Sequence, residues 1–176
     1  MDDKFNLNHW PIVYFKSSID PINNEQFEEY KKFYLQLLIK CKNCNEKMTL
    51  ICDLNNTKEF QMDYVMKQAQ FNREIYNHNK QYVKCIGIMC GNKNFLNIKN
   101  IINIFATIVK PPAPFKLCRN FDKINIFLQK NKINFDTNIF NDANDANDAN
   151  DLNYINDSPD NICDEEFSEE YESTSV

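Results

Sequence analysis

Two cysteines three positions apart, in Cys41-Lys-Asn-Cys44, make up the one CxxC of this chain. A redox pair of that spacing works at the start of a helix, where the helix dipole lowers a thiol pKa. Here the preceding residues, 24–43, have helical spacing, so the pair falls at a C-terminal end, where the dipole has the opposite sign. Structural zinc needs two further ligands. Cys85 and Cys90 do not supply them, because five positions along a strand turn them to opposite faces. Cys41 therefore reads as a core thiol, and no metal or other cofactor is expected. His9 and His78 are the only histidines, and neither neighbours a Ser or Cys nucleophile in sequence. With no catalytic residue to assign, the chain is not expected to be an enzyme.

The residues best placed to meet a ligand or partner are Asp53, Asn55, Asn56, Thr57 and Asn92. They follow strand-like segments, and in parallel sheets ligands gather beyond the carboxyl ends of the strands. Asp63 stands at the start of the next helix-like segment. The same Asp and Asn residues equally suit capping of a turn and a helix. Glycine offers no phosphate cradle, since Gly87 and Gly91 are the only two in the chain.

The elements that must position these residues follow from hydrophobic spacing. Trp10 to Phe15 is rich in β-branched and aromatic residues and reads as a first strand. Asn24 is the expected N-cap of a long helix on which Phe27, Tyr30, Tyr34, Leu37 and Cys41 share one face. Met48 to Leu54 is apolar at nearly every residue, as a strand buried on both faces would be. A second helix is expected from Glu59 to about Lys80, with Met62, Val65, Met66, Ala69 and Tyr76 facing inward. Val83 to Cys90 reads as a third strand and Phe95 to Val109 as a third helix, stopped by Pro111-Pro-Ala-Pro114. Phe115 to Cys118 and Phe121 to Lys130 complete the series, with Ile124, Phe127 and Leu128 facing in. Four successive β-α units predict an α/β fold with a mainly parallel sheet covered by helices.

Charge divides the chain of 176 residues. Residues 1–132 carry all 20 Lys and Arg against 12 acids, a charge of +8, whereas the other 13 acids follow with no base among them. Asn-Asp-Ala repeats within Asn141–Asp151 and the acidic end DEEFSEEYESTSV suit a disordered tail, because they offer too little apolar surface to offset ordering entropy. The expected division is a folded domain at 1–133 and an acidic tail at 134–176. The tail could screen a basic surface electrostatically or act only as a solubilising segment. Within it, Ser158 precedes Pro159 and Ser168 lies among acids, the patterns of two kinds of phosphosite, and Thr174-Ser-Val176 fits carboxylate capture at a sheet edge. The basic residues Lys40, Lys42, Lys47, Lys80, Lys84, Lys110, Lys116 and Arg119 are scattered, with no aromatic–basic motif, so nucleic acid is not the expected partner. Seven cysteines, a polar start and apolar runs far below the roughly 20 residues of a membrane helix lead to the expectation of a cytoplasmic protein with no transmembrane segment.

Trp10-Pro-Ile-Val-Tyr-Phe15, Ile51-Cys-Asp-Leu-Asn-Asn56, the long helix after it and Pro111-Pro-Ala-Pro-Phe115 together resemble the STAS domain family of anti-sigma-factor antagonists, whose fold is related to the CRAL-TRIO lipid-transfer domains. The resemblance covers residues 10 to about 130. It implies a non-catalytic module that binds another protein. In the phosphoregulated members an acceptor Ser or Thr follows an Asp at the start of the helix after the Asp-Leu strand. Here Asp63 is followed by Tyr64, and that acceptor has no counterpart. The expectation is a protein partner, with an anionic lipid or small ligand at the strand-end edge as the alternative.

Overall fold

Met48-Thr-Leu-Ile-Cys-Asp53 forms the central strand, and every residue in it except Cys52 is buried. Such a run must be covered on both faces, and the architecture follows from that need. The computed structural model describes residues 5–17, 23–57, 61–91 and 95–133. Five strands lie in chain order across one sheet: β1 (Phe5–His9), β2 (Ile12–Lys16), β3 (Met48–Asp53), β4 (Val83–Met89) and β5 (Phe115–Cys118). β2 to β5 are mutually parallel, and β1 pairs antiparallel with β2. The α/β class and mainly parallel sheet match expectation.

β1 was not foreseen from the polar start of the chain. It forms because Phe5 and Leu7 alternate with Asn6 and Asn8, which lets one side pack on the core while Asn8 faces solvent. The turn into β2 contains the cis peptide Trp10-Pro11. Trp10 is held by Glu46, which accepts a 2.7 Å bond from its indole Nε1, and by Lys40, whose ammonium lies 4.2 Å from the ring centroid.

Helix α1 (Asn24–Cys44) starts one residue earlier than the sequence suggests, with Asn23 as N-cap in place of Asn24. The cause is a reciprocal capping box: Gln26 N–H donates to Asn23 Oδ1 at 2.9 Å, and Asn23 N–H donates to Gln26 Oε1 at 3.1 Å. Asn45 closes the helix in the left-handed region at φ 53°, which Asn tolerates better than most residues. The single helix expected from Glu59 to Lys80 is two helices, α2 (Met62–Glu74) and α3 (Tyr76–Tyr82), broken at Ile75. Ile75 turns inward at the break, and α3 is thereby aimed so that buried Asn79 meets α1. The expected inner stripe is corrected too. Val65, Ala69, Phe71 and Ile75 are buried, while Met62 and Met66 are exposed.

Helix α4 (Phe95–Ile108) lies beside α2, and helix α5 (Phe121–Lys130) packs on β4 and β5. The sheet's alternation feeds two cores. Val13, Met48, Leu50 and Val83 join Phe27, Tyr34, Leu37, Cys41 and Phe71 on the α1–α2 side. Ile12, Ile51, Cys85, Met89 and Cys118 join Ile124, Phe127 and Leu128 on the α5 side. A Cβ at Gly87 would lie 3.3 Å from Ile124 Cδ1, so glycine lets α5 approach β4 closely. Among the described residues, no helix is long and apolar enough to cross a membrane. The expected tail at 134–176, with Ser158 and Ser168, and the site residue Asn92 lie outside the described residues.

Candidate functional site

Parallel pairing brings the carboxyl ends of β2, β3, β4 and β5 to one edge. Lys16 is opposite Asp53, Asp53 opposite Met89, and Met89 opposite Cys118. The backbone continues this alignment past the strands, with Ser17 N–H donating to Asp53 O at 2.8 Å, Leu54 N–H to Met89 O at 2.8 Å and Cys90 N–H to Cys118 O at 2.9 Å. Of the five residues singled out in sequence, Asp53, Asn55 and Thr57 are gathered into one hydrogen-bonded group here, and Asn56 is exposed beside them.

Asp53 is 5 % exposed. Its Oδ1 accepts from Asn55 N–H at 2.9 Å, a turn in which an Asp side chain imitates the backbone. Its Oδ2 accepts from Tyr14 Oη at 2.5 Å. Asn55 Oδ1 accepts from Gly91 N–H at 2.6 Å and ties the β3 turn to the end of β4. A Cβ on Gly91 would stand 3.3 Å from that oxygen. Buried Thr57 donates through Oγ1 to Ser17 Oγ at 2.7 Å and joins the turn to the end of β2. The polar groups of the edge thus engage one another across three strand ends. Gly91, at the start of the 91–94 stretch that strand ends also point to, joins the group, and Tyr14 and Ser17, which were missed in the sequence, complete it. Their signal was register: pairing β2 with β3 in parallel sets Tyr14 and Asp53 on one face two positions out of step.

The electrostatics of the edge favour protonated, unreactive groups. Burial, then the hydrogen bond and the charge of Asp53, holds the Tyr14 phenol well above its ordinary range, so it acts as a donor. Burial and Asp53 push the Cys52 thiol up to about 12 and raise Cys90 as well. Burial likewise raises Cys41 and Cys85. A thiol held protonated is a poor nucleophile and a poor metal ligand. In the CxxC, Cys41 is buried and Cys44 exposed, at the C-terminal turn of α1. His78 is exposed on α3, and His9 ends β1, remote in sequence and strand from Asp53. No group of three His, Cys, Asp or Glu suited to a metal ion occurs among the described residues.

A concavity of about 430 Å³ lies between α1 and α2. Lys31 spans it, 5.6 Å from the Phe27 ring, 5.9 Å from the Phe71 ring and 2.8 Å from Glu28 Oε1. Lys67 donates to Asn24 Oδ1 at 2.5 Å on its rim. Its cations are engaged with neighbours, and it holds no nucleophile–base pair. Beneath it, Tyr34 Oη donates to Asn79 Oδ1 at 3.0 Å, Asn79 Nδ2 to Asn72 Oδ1 at 3.2 Å, and Gln68 Nε2 to Tyr30 Oη at 3.2 Å. This polar chain fastens α1 to α2 and α3.

Large apolar side chains stand out instead on the helices: Leu35 and Ile39 on α1, Met62 and Met66 on α2, Leu96 and Ile104 on α4, and Ile126 on α5. No family model, curated protein or solved structure matches this chain.

Proposed function

We propose that this chain is a non-catalytic, STAS-like protein-interaction or regulatory module. One contrast carries the reading. The polar groups at the carboxyl edge, the place where a small ligand would be sought, are taken up by one another, while all seven exposed large apolar side chains among the described residues stand on helices. Exposed apolar patches on a folded domain mark surfaces that meet another macromolecule. The sequential parallel strands with helices between them support the STAS-like part of the reading. A small-ligand or lipid-headgroup site at the strand ends has less support, because Asp53, Asn55 and Thr57 would first have to give up the bonds they make. The acidity of residues 134–176 sets the net charge a partner meets at long range, and so tunes recognition by the basic portion at 1–132.

The test is quantitative affinity capture with the full chain and with a variant in which the 13 acids after Lys132 are replaced by Asn and Gln. A discrete protein partner should be recovered by both, in different yield at low salt and in equal yield at high salt. Native mass spectrometry showing a retained small molecule, with no protein partner recovered, would overturn the proposal.

A further inference from the structure

Helix α1 carries Leu35 and Ile39 on its outer face, 41 % and 57 % exposed, near the middle of its 21 residues. Their setting on the helix is periodic. Glu28, Leu35 and Lys42 follow one another at intervals of seven and stand in one line, since seven residues make nearly two full turns. Glu25, Lys32 and Ile39 form a second line of the same spacing beside the first. Taken together, positions 25, 28, 32, 35, 39 and 42 alternate by three and four, the spacing of a seam along which one helix packs on another. All six are exposed, whereas the opposite side of α1 sends Phe27, Tyr34, Leu37, Leu38 and Cys41 into the core. The seam is a second packing face on a helix whose first is already filled.

Charge along this helix has a direction. The three acids of α1, Glu25, Glu28 and Glu29, all precede its four bases, Lys31, Lys32, Lys40 and Lys42. Acids at the start and bases at the end suit the helix's own dipole. That preference does not account for two large apolar residues in water between them. A second copy of α1 laid antiparallel satisfies both features. A two-fold axis at Leu35 sets the two Leu35 side chains together and brings Glu28 of each copy to Lys42 of the other, because Glu28 and Lys42 are equally far from Leu35. Ile39 then lies beside Lys32 of the other copy, whose hydrocarbon stem covers it. A parallel pair would set Glu28 on Glu28 and Lys42 on Lys42. Glu28 Oε1 already meets Lys31 Nζ at 2.8 Å, but this is an exposed pair within one helix, of the kind that contributes little. Lys40 lies over the Trp10 ring and takes no part.

We propose that the outer face of α1 is a self-association surface, on which a second copy of this chain packs its own α1 antiparallel about a two-fold axis at Leu35. One pair of helices with two apolar residues from each is small beside the interface of a permanent dimer, so the dimer is reversible and forms at micromolar concentration or above. The opposed helix dipoles add to the attraction. The proposal goes beyond the interaction-module reading and is independent of it, since a chain that stays monomeric could still bind another protein elsewhere on its surface.

The test is sedimentation equilibrium of the full chain with a phosphine reductant, which keeps exposed Cys44 from linking two copies. A monomer–dimer equilibrium is expected, weakened by raising salt from about 50 to about 500 mM. E28K sets two lysines at each contact and K42E two glutamates, and each contact occurs twice, so either variant alone should weaken dimerisation about ten-fold or more. An equimolar mixture of the two variants should regain the dimer, because the charges are complementary again between unlike copies. L35D should abolish the dimer and leave the circular dichroism spectrum unchanged, because Leu35 already faces water. I126D, at an exposed site on α5, should leave dimerisation as it is. A chain monomeric up to millimolar concentration, charge variants that dimerise like the parent, a mixture that stays monomeric, or loss of the dimer in I126D would each overturn the α1 surface. None of these bears on recovery of a different protein by affinity capture, so the interaction-module reading stands or falls separately.

Discussion

Replacing Asp53 tests whether the strand-end group is structural. In Asp53→Ala two hydrogen bonds to a carboxylate disappear at once, those from Tyr14 Oη at 2.5 Å and from Asn55 N–H at 2.9 Å. Hydrogen bonds to charged groups contribute about 1.5–3 kcal/mol each, so the loss should be about 3–6 kcal/mol. For a domain whose total stability is about 5–15 kcal/mol that is a large fraction, and it should lower the urea midpoint by about 2 M. Asp53→Asn keeps an oxygen for Asn55 N–H and should cost less, about 1–2 kcal/mol. Tyr14→Phe removes one of the two bonds. In a double-mutant cycle with Asp53→Ala it should therefore show a coupling of about 1–2 kcal/mol. Equilibrium urea unfolding followed by circular dichroism reads the parent and all four variants. A loss below about 0.5 kcal/mol for Asp53→Ala, or zero coupling to Tyr14, would refute the claim that these groups serve one another.

Three further outcomes follow from the buried polar groups. Asn79→Ala should cost about 2–4 kcal/mol, because it leaves the buried Tyr34 hydroxyl unpaired, and adding Tyr34→Phe should recover part of that loss in the same urea assay. Tyr14, Tyr30, Tyr34 and Tyr64 are all held above their ordinary phenol range by burial, so the unfolded chain ionises first. Their contribution is complete below about pH 10 and should fall as pH rises, by about 1.4 kcal/mol per pH unit for each phenol still protonated in the fold; stability that stays flat from pH 9 to 11 would contradict this. In a Cys163→Ser background, exposed Cys44 should react first with a chromogenic disulfide, and the raised thiols Cys41, Cys52, Cys85 and Cys90 only at rates limited by opening of the fold, as stopped-flow absorbance would show.

The parts of the fold legible in sequence are those fixed by unambiguous hydrophobic period. Met48–Asp53 has strand length and apolar residues on both faces, and Phe121–Lys130 has Ile124, Phe127 and Leu128 on one side of a helix. What escaped was set by contacts between distant segments. β1 is a strand because β2 offers it a ladder, and a run such as Phe-Asn-Leu-Asn-His has little preference alone. The α2–α3 break at Ile75 turns Asn79 toward Tyr34, a partner 45 residues away that no local pattern marks. Met62 and Met66 have core-like types at helical spacing, yet the inner positions belong to Val65, Ala69 and Phe71, a choice that depends on where α1 and α4 sit. Asp53, Asn55 and Thr57 could be located from strand ends alone, whereas their bonding to Tyr14, Gly91 and Ser17 required register.

Amide hydrogen exchange of the full chain, alone and with its captured protein partner, most directly separates a helical recognition face from a strand-end pocket. New protection should fall on residues 62–74 and 95–108, with residues 53–57 and 87–91 unchanged. Protection confined to the strand-end segments would contradict it and restore the carboxyl edge as the binding site.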